Sequence, residues 1–347
     1  MSNLMIVESP NKIKKIEAAL KAIGGSWRVE ASVGHIRDLD DELKEGDVVC
    51  GVESTLRPRY TPTERGKSVI AKLRKSIAVA DKVYLATDPD REGEAISWHL
   101  MQALGLKPND YVRVAFNEVT KQAIAKALKQ ERSIDNRWVA AQEARRVLDR
   151  LVGFSVSPLV SNLLNAKASA GRVQSPAVGL VVERERAIRN FKPVDHYSVR
   201  LSFDGGWSAD WDFKPLLKAK GVLTVNSEDE VEDQGEASGS VWQDKVFAQQ
   251  VAKTSRVVVR GYVERVESRS PSGAFTTSSL QQAGGNVFGW SPKKVMEVAQ
   301  KLFEGGLITY HRTDSPNLSD EAIHAIRLLA QSRSEEHTSE LQSRQSI

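Results

Sequence analysis

Asp88, Asp90, Glu92 and Glu94 place four carboxylates within seven residues, in the stretch Ala86-Thr87-Asp88-Pro89-Asp90-Arg91-Glu92-Gly93-Glu94. Before it, Lys82-Val83-Tyr84-Leu85 has the apolar, β-rich texture of a buried strand. After it, Ala95-Ile96-Ser97-Trp98-His99-Leu100-Met101 has the spacing of a helix face. The acids therefore occupy the turn between a strand's carboxyl end and a helix, where open α/β sheets bind their ligands. Pro89 and Gly93 keep that turn irregular, so its side chains can converge. Crowded carboxylates repel unless a cation neutralises them, and hard oxygen donors suit Mg²⁺. A solvated acidic helix start is the plain alternative, since Asp and Glu favour that position.

A second apolar strand, Leu4-Met5-Ile6-Val7, also ends in a carboxylate, Glu8, with Lys12 four residues on. Side by side in one parallel sheet, the two strands would set Glu8 beside Asp88 and Asp90. The pair, in this order and separation, resembles the Toprim domain of type IA topoisomerases, bacterial DNA primases and some nucleases.

At 347 residues the chain has room for two or three domains with their own cores. No uninterrupted apolar run approaches the length that spans a bilayer, and no leader pattern opens the sequence, so a cytoplasmic protein with no membrane partner is expected. The single cysteine, Cys50, excludes an internal disulfide framework and a multi-cysteine zinc site. Net charge is +4. The basic surplus lies in the first half and is densest over residues 131–195, compatible with a polyanion crossing that region.

In chain order, Lys12 to Ile23 reads as a helix stopped by Gly24-Gly25, and Trp27 to Val33 as a strand before Gly34-His35. Residues 44–62 read as an excursion with a hairpin. Gly66-Lys67-Ser68 opens a helix to Ile77 and is no P-loop, because Thr61 stands where that motif requires glycine. No ATP site is expected. Residues 113–116 read as a strand, Glu118 to Leu128 as a helix, and Asn136 to Leu151 as a longer one.

That longer helix carries Arg145, Arg146, Asp149 and Arg150, and Arg145 can pair with Asp149 four residues on. Downstream, Ser169-Ala170-Gly171-Arg172-Val173-Gln174 combines small residues, which let backbone approach a phosphate, with two side chains that can bond it. Ser175 to Asn190 reads as a helix. From His196 the texture turns to strands, at Tyr197–Leu201, Trp207–Trp211, Arg256–Val259 and 262–266, around an acidic loop at 226–240. Hydroxyls at Phe275–Gln282 cap another helix, and Pro292 to Glu304 forms one ended by Gly305-Gly306. Then comes Leu307-Ile308-Thr309-Tyr310-His311-Arg312-Thr313-Asp314-Ser315, where Tyr310 and Arg312 on a strand would face one side. A tyrosine of ordinary pKa about 10 needs help to act as a nucleophile, and a fixed guanidinium supplies some.

Together these stretches are collinear with type IA topoisomerases, and the resemblance covers roughly residues 1–331. It implies an incomplete multidomain architecture: an α/β Toprim domain (1–130), a helical DNA-binding domain (131–195), the first half of a β-rich arch (196–270) and the start of an α+β tyrosine domain (271–332). It also implies transesterification without ATP. Tyr310 would attack single-stranded DNA to form a 5′-phosphotyrosine, relaxing negatively supercoiled DNA, with Lys12, Arg312 and Glu8 assisting. Mg²⁺ would bind at Asp88, Asp90 and Glu92, near Glu8. His35, Arg145, Arg146, Asp149, Ser169, Gly171, Arg172 and Gln174 would hold DNA.

The resemblance further suggests a monomer acting on the nucleoid, with no zinc in this stretch. Such enzymes continue well past the tyrosine, so the stretch alone is expected to lack full strand passage. Its last helices should then expose Val295, Leu302, Ile326 and Leu329. Arg333 to Ser343 resembles a sequencing adapter read in one frame, and residues 333–347 are expected to be non-native, a genuine polar tail being the alternative. Two other readings remain open: a Toprim primase or nuclease, which has no use for Tyr310, and a non-catalytic single-strand-binding protein, which does not need the acidic turn.

Overall fold

Strand β1 (Ser2–Val7) sets the layering, because its alternate side chains enter two different cores. Met5 and Val7 pack on one face of the sheet, Leu4 and Ile6 on the other, as in a parallel strand covered on both sides. The protein is described by a computed structural model over residues 2–219, 241–261, 263–264, 272–318 and 322–333. The acidic loop at 226–240 and residues 334–347 lie outside that range.

A 3₁₀ turn at Pro10–Lys12 leads into α1 (Ile13–Ile23), and β2 (Trp27–Ala31) returns parallel to β1. The excursion then forms β3 (Arg37–Leu39), the hairpin β4 (Asp47–Val49) and β5 (Val52–Glu53), and β6 (Tyr60–Pro62), which pairs back on β3. Next come α2 (Glu64–Ile77), β7 (Ala80–Leu85), α3 (Arg91–Leu104), β8 (Tyr111–Arg113) and α4 (Lys121–Lys129). The main sheet is all parallel, in the order β2-β1-β7-β8. Ile16 and Leu20 of α1 and Ile124 of α4 cover one face; Ile70 and Leu73 of α2 and Ile96 and Leu100 of α3 cover the other. β8 ends before the expected 114–116, where Val114 still bonds the carbonyl of Leu85.

Helix α5 (Asn136–Leu164) runs thirteen residues beyond the expected end at Leu151, straight through Pro158. Among the described helices it alone is long and apolar enough to cross a membrane by length and composition, with mean hydropathy 1.3 over its apolar window. Serines and Pro158 interrupt that window, which is why a search for unbroken apolar runs passes over it. Two compact units separate, Met1–Ser175 with Pro271–Ile347 and Pro176–Ser270, counted over their described residues. Helix α6 (Gln174–Asn190) begins at the division.

The second unit keeps part of the expected β texture among its described residues. Its described residues contain one antiparallel pair, β9 (Arg200–Ser202) and β10 (Ser208–Asp210), and two short helices, α7 (Lys214–Ala219) and α8 (Lys245–Ala252). Trp242, Leu217 and Ala248 form its core with Trp211 and Phe247, so aromatic packing rather than a sheet gathers it. Arg256–Val259 has no regular structure, and much of 262–266 is outside the described residues.

Back in the first unit, α9 (Thr277–Phe288) starts at Thr276, whose hydroxyl and Ser279 form a capping box. Helix α10 (Pro292–Glu304) follows. Val295 is not exposed as expected: it is buried against Gly284, where a Cβ would come within 2.6 Å of its side chain. Leu302, Ile326 and Leu329 are exposed.

Arg113, at the end of β8, fixes the acidic turn from beneath. Its wholly buried guanidinium donates to the carbonyls of Leu85 (3.1 Å), Thr87 (2.8 Å), Asp88 (2.8 Å) and Val114, and its Nε to Glu94 (3.0 Å). Glu94 points inward, bound also by Arg132 at 2.7 and 2.8 Å and by the Asp135 amide at 2.7 Å. Gly93 is required here, because a Cβ would stand 2.1 Å from the Asp88 carbonyl. Replacing Arg113 by Met should cost about 3–5 kcal/mol in urea unfolding, since it strands Glu94 and several carbonyls in the interior. Arg113→Lys should recover part of that, restoring the charge without the planar fork. A loss within about 0.5 kcal/mol, the range of surface changes, would contradict the clamp.

Candidate active site

Parallel pairing of β1 with β7 places Ile6 opposite Leu85, so both strands release their acids at the same edge. Glu8 follows β1, and Ser9 caps the 3₁₀ turn through the Asn11 amide at 3.3 Å. That turn carries Lys12 inward, where it is 1 % exposed, ion-paired to Asp88 and 4.7 Å from the Phe303 ring centre. Asp90 caps α3 by accepting the Gly93 amide on Oδ1 at 2.8 Å. Its other oxygen accepts the Tyr310 hydroxyl at 2.5 Å. Glu92, in the first turn of α3, receives Arg312 at 3.0 Å and lies 3.5 Å from His35 Nε2.

Tyr310 does not lie on a strand. Residues 307–312 are irregular, and the backbone finds its bonds elsewhere: the Tyr310 amide donates to Asn117 at 2.7 Å, and Thr277 Oγ1 donates to the His311 carbonyl at 2.9 Å. Gly306, at φ 61°, lets the chain press against α1 and the loop before α4, where a Cβ would meet the Val119 carbonyl at 2.7 Å. The phenol ring packs on Phe303, with centroids 5.1 Å apart. Tyr310 and Arg312 thus reach the acidic turn through loop geometry, not strand alternation. Arg312 also lies 3.7 Å from Asp90.

The charges are unevenly balanced. Burial pushes the Glu8 carboxyl up to about 7, with Asp88 adding to the rise, Lys12 opposing it, and Glu92 and Asp90 contributing further. Burial also raises Asp88 against the pull of Lys12. The hydrogen bond with His35, followed by the charge of Arg312, holds Glu92 down at about 2 against its burial. Tyr310 is raised by burial and then by its bond to Asp90. Burial lowers His311 to about 4, and its buried Nδ1 has no partner among the described residues.

The donor chemistry fits a hard divalent cation: several carboxylates share one edge and raise one another's proton affinity, and Glu8 has no ion pair or side-chain hydrogen bond among the described residues. The carboxylates face Lys12, Tyr310 and Arg312 in this state, and no group of three or more acids, His or Cys among the described residues converges on a metal-binding point.

The remaining predicted residues fall on α5 and the segment after it. Arg146 grips Asp38 through Nε at 3.0 Å and through Nη2, which reaches both carboxylate oxygens at 2.7 Å. Asp149 pairs with Arg172 at 2.7 Å and not with Arg145, because the folded-back segment brings a second guanidinium to it. Arg145 is exposed and has no ion pair among the described residues. Gln174 donates to Ser169 at 3.1 Å, and the Gly171 amide to Ser175 at 3.2 Å. A cavity of about 320 Å³ lies between His35 and Glu92 and the Asp38–Arg146 pair, linking the acidic turn to α5. Sequence reasoning passed over Arg113, whose only signal is a charge inside an apolar strand, and over Asn117 and Phe303, which bear no signal.

A Toprim domain model matches residues 3–119, and a DNA topoisomerase model matches residues 133–346. The plasmid DNA topoisomerase I of Xylella fastidiosa is 49 % identical over 328 residues, covering 93 % of this chain and 46 % of the relative. DNA topoisomerase 1 of Pseudomonas aeruginosa is 40 % identical, covering 94 % and 39 %. The solved full-length topoisomerase I of Thermotoga maritima superposes with a TM-score of 0.75 at 33 % identity, over 94 % of this chain and 52 % of that one. The chain spans less than half the length of the curated relatives it matches. Acids from the first matched stretch meet Tyr310 from the second in one site, and the chain belongs to the type IA DNA topoisomerase family.

Proposed function

We propose that this chain carries out the transesterification of a type IA topoisomerase on single-stranded DNA. The observation that carries the reading is Tyr310, a residue only 7 % exposed whose hydroxyl is bonded to Asp90 within the acidic edge. Tyr310 Oη attacks a backbone phosphorus, its proton passes to Asp90, and the bond from phosphorus to the 3′ oxygen breaks. A 5′-phosphotyrosine forms, and the 3′ oxygen leaves as a hydroxyl. Glu8, whose carboxyl burial pushes up to about 7, is suited to give that oxygen its proton. Lys12 and Arg312 offset charge on the phosphate. Reversal reseals the strand with no ATP, because the phosphotyrosine conserves the bond.

Asp88, Asp90 and Glu92, with Glu8 beside them, would hold Mg²⁺, which when bound neutralises charge around the phosphate. In this reading, residues 1–130 are the Toprim domain, 131–195 the helical DNA-binding domain, 196–270 an arch segment and 271–332 the tyrosine domain. Arg145 and Arg172 contact the strand directly. Asp149 steadies Arg172, while His35 and Arg146 flank the way in, and Ser169, Gly171 and Gln174 shape the backbone beside Arg172. The substrate class is single-stranded regions of negatively supercoiled DNA in the cytoplasmic nucleoid, bound by a monomer.

Tyr310→Phe should abolish the SDS-resistant adduct on a labelled single-stranded oligonucleotide. Binding should stay within about twofold, because phosphate contacts set most of the affinity. Adduct from the Phe variant would overturn the reading. Titration of Mg²⁺ by calorimetry should show a site that disappears in the Asp88→Asn, Asp90→Asn variant. Unchanged heats would make the acidic turn purely structural.

A further inference from the structure

The segment after α5 folds back along that helix and is tied to it by two serine hydroxyls. Ser161 Oγ donates to the Ala168 carbonyl at 2.7 Å and accepts the Ala168 amide at 3.1 Å. Ser157 Oγ donates to the Ala170 carbonyl at 3.3 Å and accepts the Ala170 amide at 3.0 Å. Each hydroxyl thus satisfies both backbone groups of one residue, as a neighbouring strand would. The spacing makes this possible. Four residues of helix rise about 6 Å, and two residues of extended chain cover about 6.6 Å, so hydroxyls on successive turns meet alternate residues of the segment.

The segment is also held at both of its ends. Asn165 enters it in the left-handed conformation at φ 48°, and the Ala166 amide bonds the Ser161 carbonyl at 3.2 Å. Further along, Asp149 on α5 takes Arg172 side-on, through Nε at 2.7 Å and Nη2 at 3.4 Å. Ala168 and Ala170 lie against the helix, with Ala170 only 9 % exposed, while Lys167 and Ser169 are exposed. Small side chains let the segment approach α5, and its cationic and hydroxyl groups are left outward.

We propose that Ser157 and Ser161 are positioning residues that hold Lys167 to Gly171 as an extended strap, with Arg172 at its end, for the phosphates of single-stranded DNA. This rests on the reading of the strap as a DNA contact. The hydroxyls do not touch DNA; they remove the strap's freedom before DNA arrives, so ordering it is not charged against binding.

Hydrogen exchange on the full chain tests the tie directly. Ser161→Ala should expose the Ala168 amide to exchange and Ser157→Ala the Ala170 amide, each leaving α3 and the main sheet protected. Protection unchanged at both amides would overturn the proposal. The double Ala variant should bind a fluorescent single-stranded oligonucleotide about tenfold more weakly. The adduct yield per bound oligonucleotide at saturation should be unchanged, and the double Ser→Thr variant should restore affinity. Parental affinity in the double Ala variant, alongside weakened binding by Arg172→Ala, would overturn the positioning role alone. Parental affinity in both variants would remove the strap from the DNA interface and with it this inference.

Discussion

The site depends on the buried guanidinium of Arg113. An acidic turn that places carboxylates at one sheet edge has too few backbone partners of its own to stay in shape. Arg113 supplies them, bonding the carbonyls of Leu85, Thr87 and Asp88 from below while Glu94, itself shared with Arg132, offsets its charge. Burying such a network is costly unless every member is satisfied, and here the fork of Arg113 meets that condition. One acid, Glu94, is thereby spent on structure. Asp88, Asp90 and Glu92 remain on the outer side, each facing a group that the proposed chemistry uses.

That arrangement leaves each outer acid with a partner inside the protein: Lys12 sits on Asp88, Tyr310 on Asp90 and Arg312 on Glu92. The pairing keeps the tyrosine protonated and places its hydroxyl beside a proton acceptor. It also ties two distant stretches of chain together, since Lys12 lies over Phe303 and Asn11 bonds Glu304 at 2.9 Å. A phosphate entering between them would compete for Lys12 and Arg312 and free the carboxylates.

Much of this was legible in the sequence because it is local. The apolar runs ending in Glu8 and Asp88 read directly as strands, and the Asp90 cap follows from its place before a helix. What was not legible depends on partners far along the chain. Tyr310 was expected on a strand because two-residue spacing suggests one, yet its amide bonds Asn117 in the loop before α4 and its segment pairs with no strand. Helix α5 was expected to stop at Leu151, but it continues through Pro158 to Leu164. Asp149 was matched to Arg145 by helical spacing and is instead taken by Arg172, which only the folded-back strap brings close. In the second unit the alternation at 197–201 and 207–211 was legible as the β9–β10 pair, whereas the small aromatic core beside it depends on residues far apart in the chain.

The central claim is that one tyrosine, held against the acidic turn, becomes covalently joined to DNA. The most direct measurement is mass spectrometry of the SDS-trapped complex after nuclease and protease digestion. The account predicts a peptide containing Tyr310 with a nucleotide attached through its 5′ phosphate. A nucleotide on any other tyrosine, or a 3′ linkage, would contradict it.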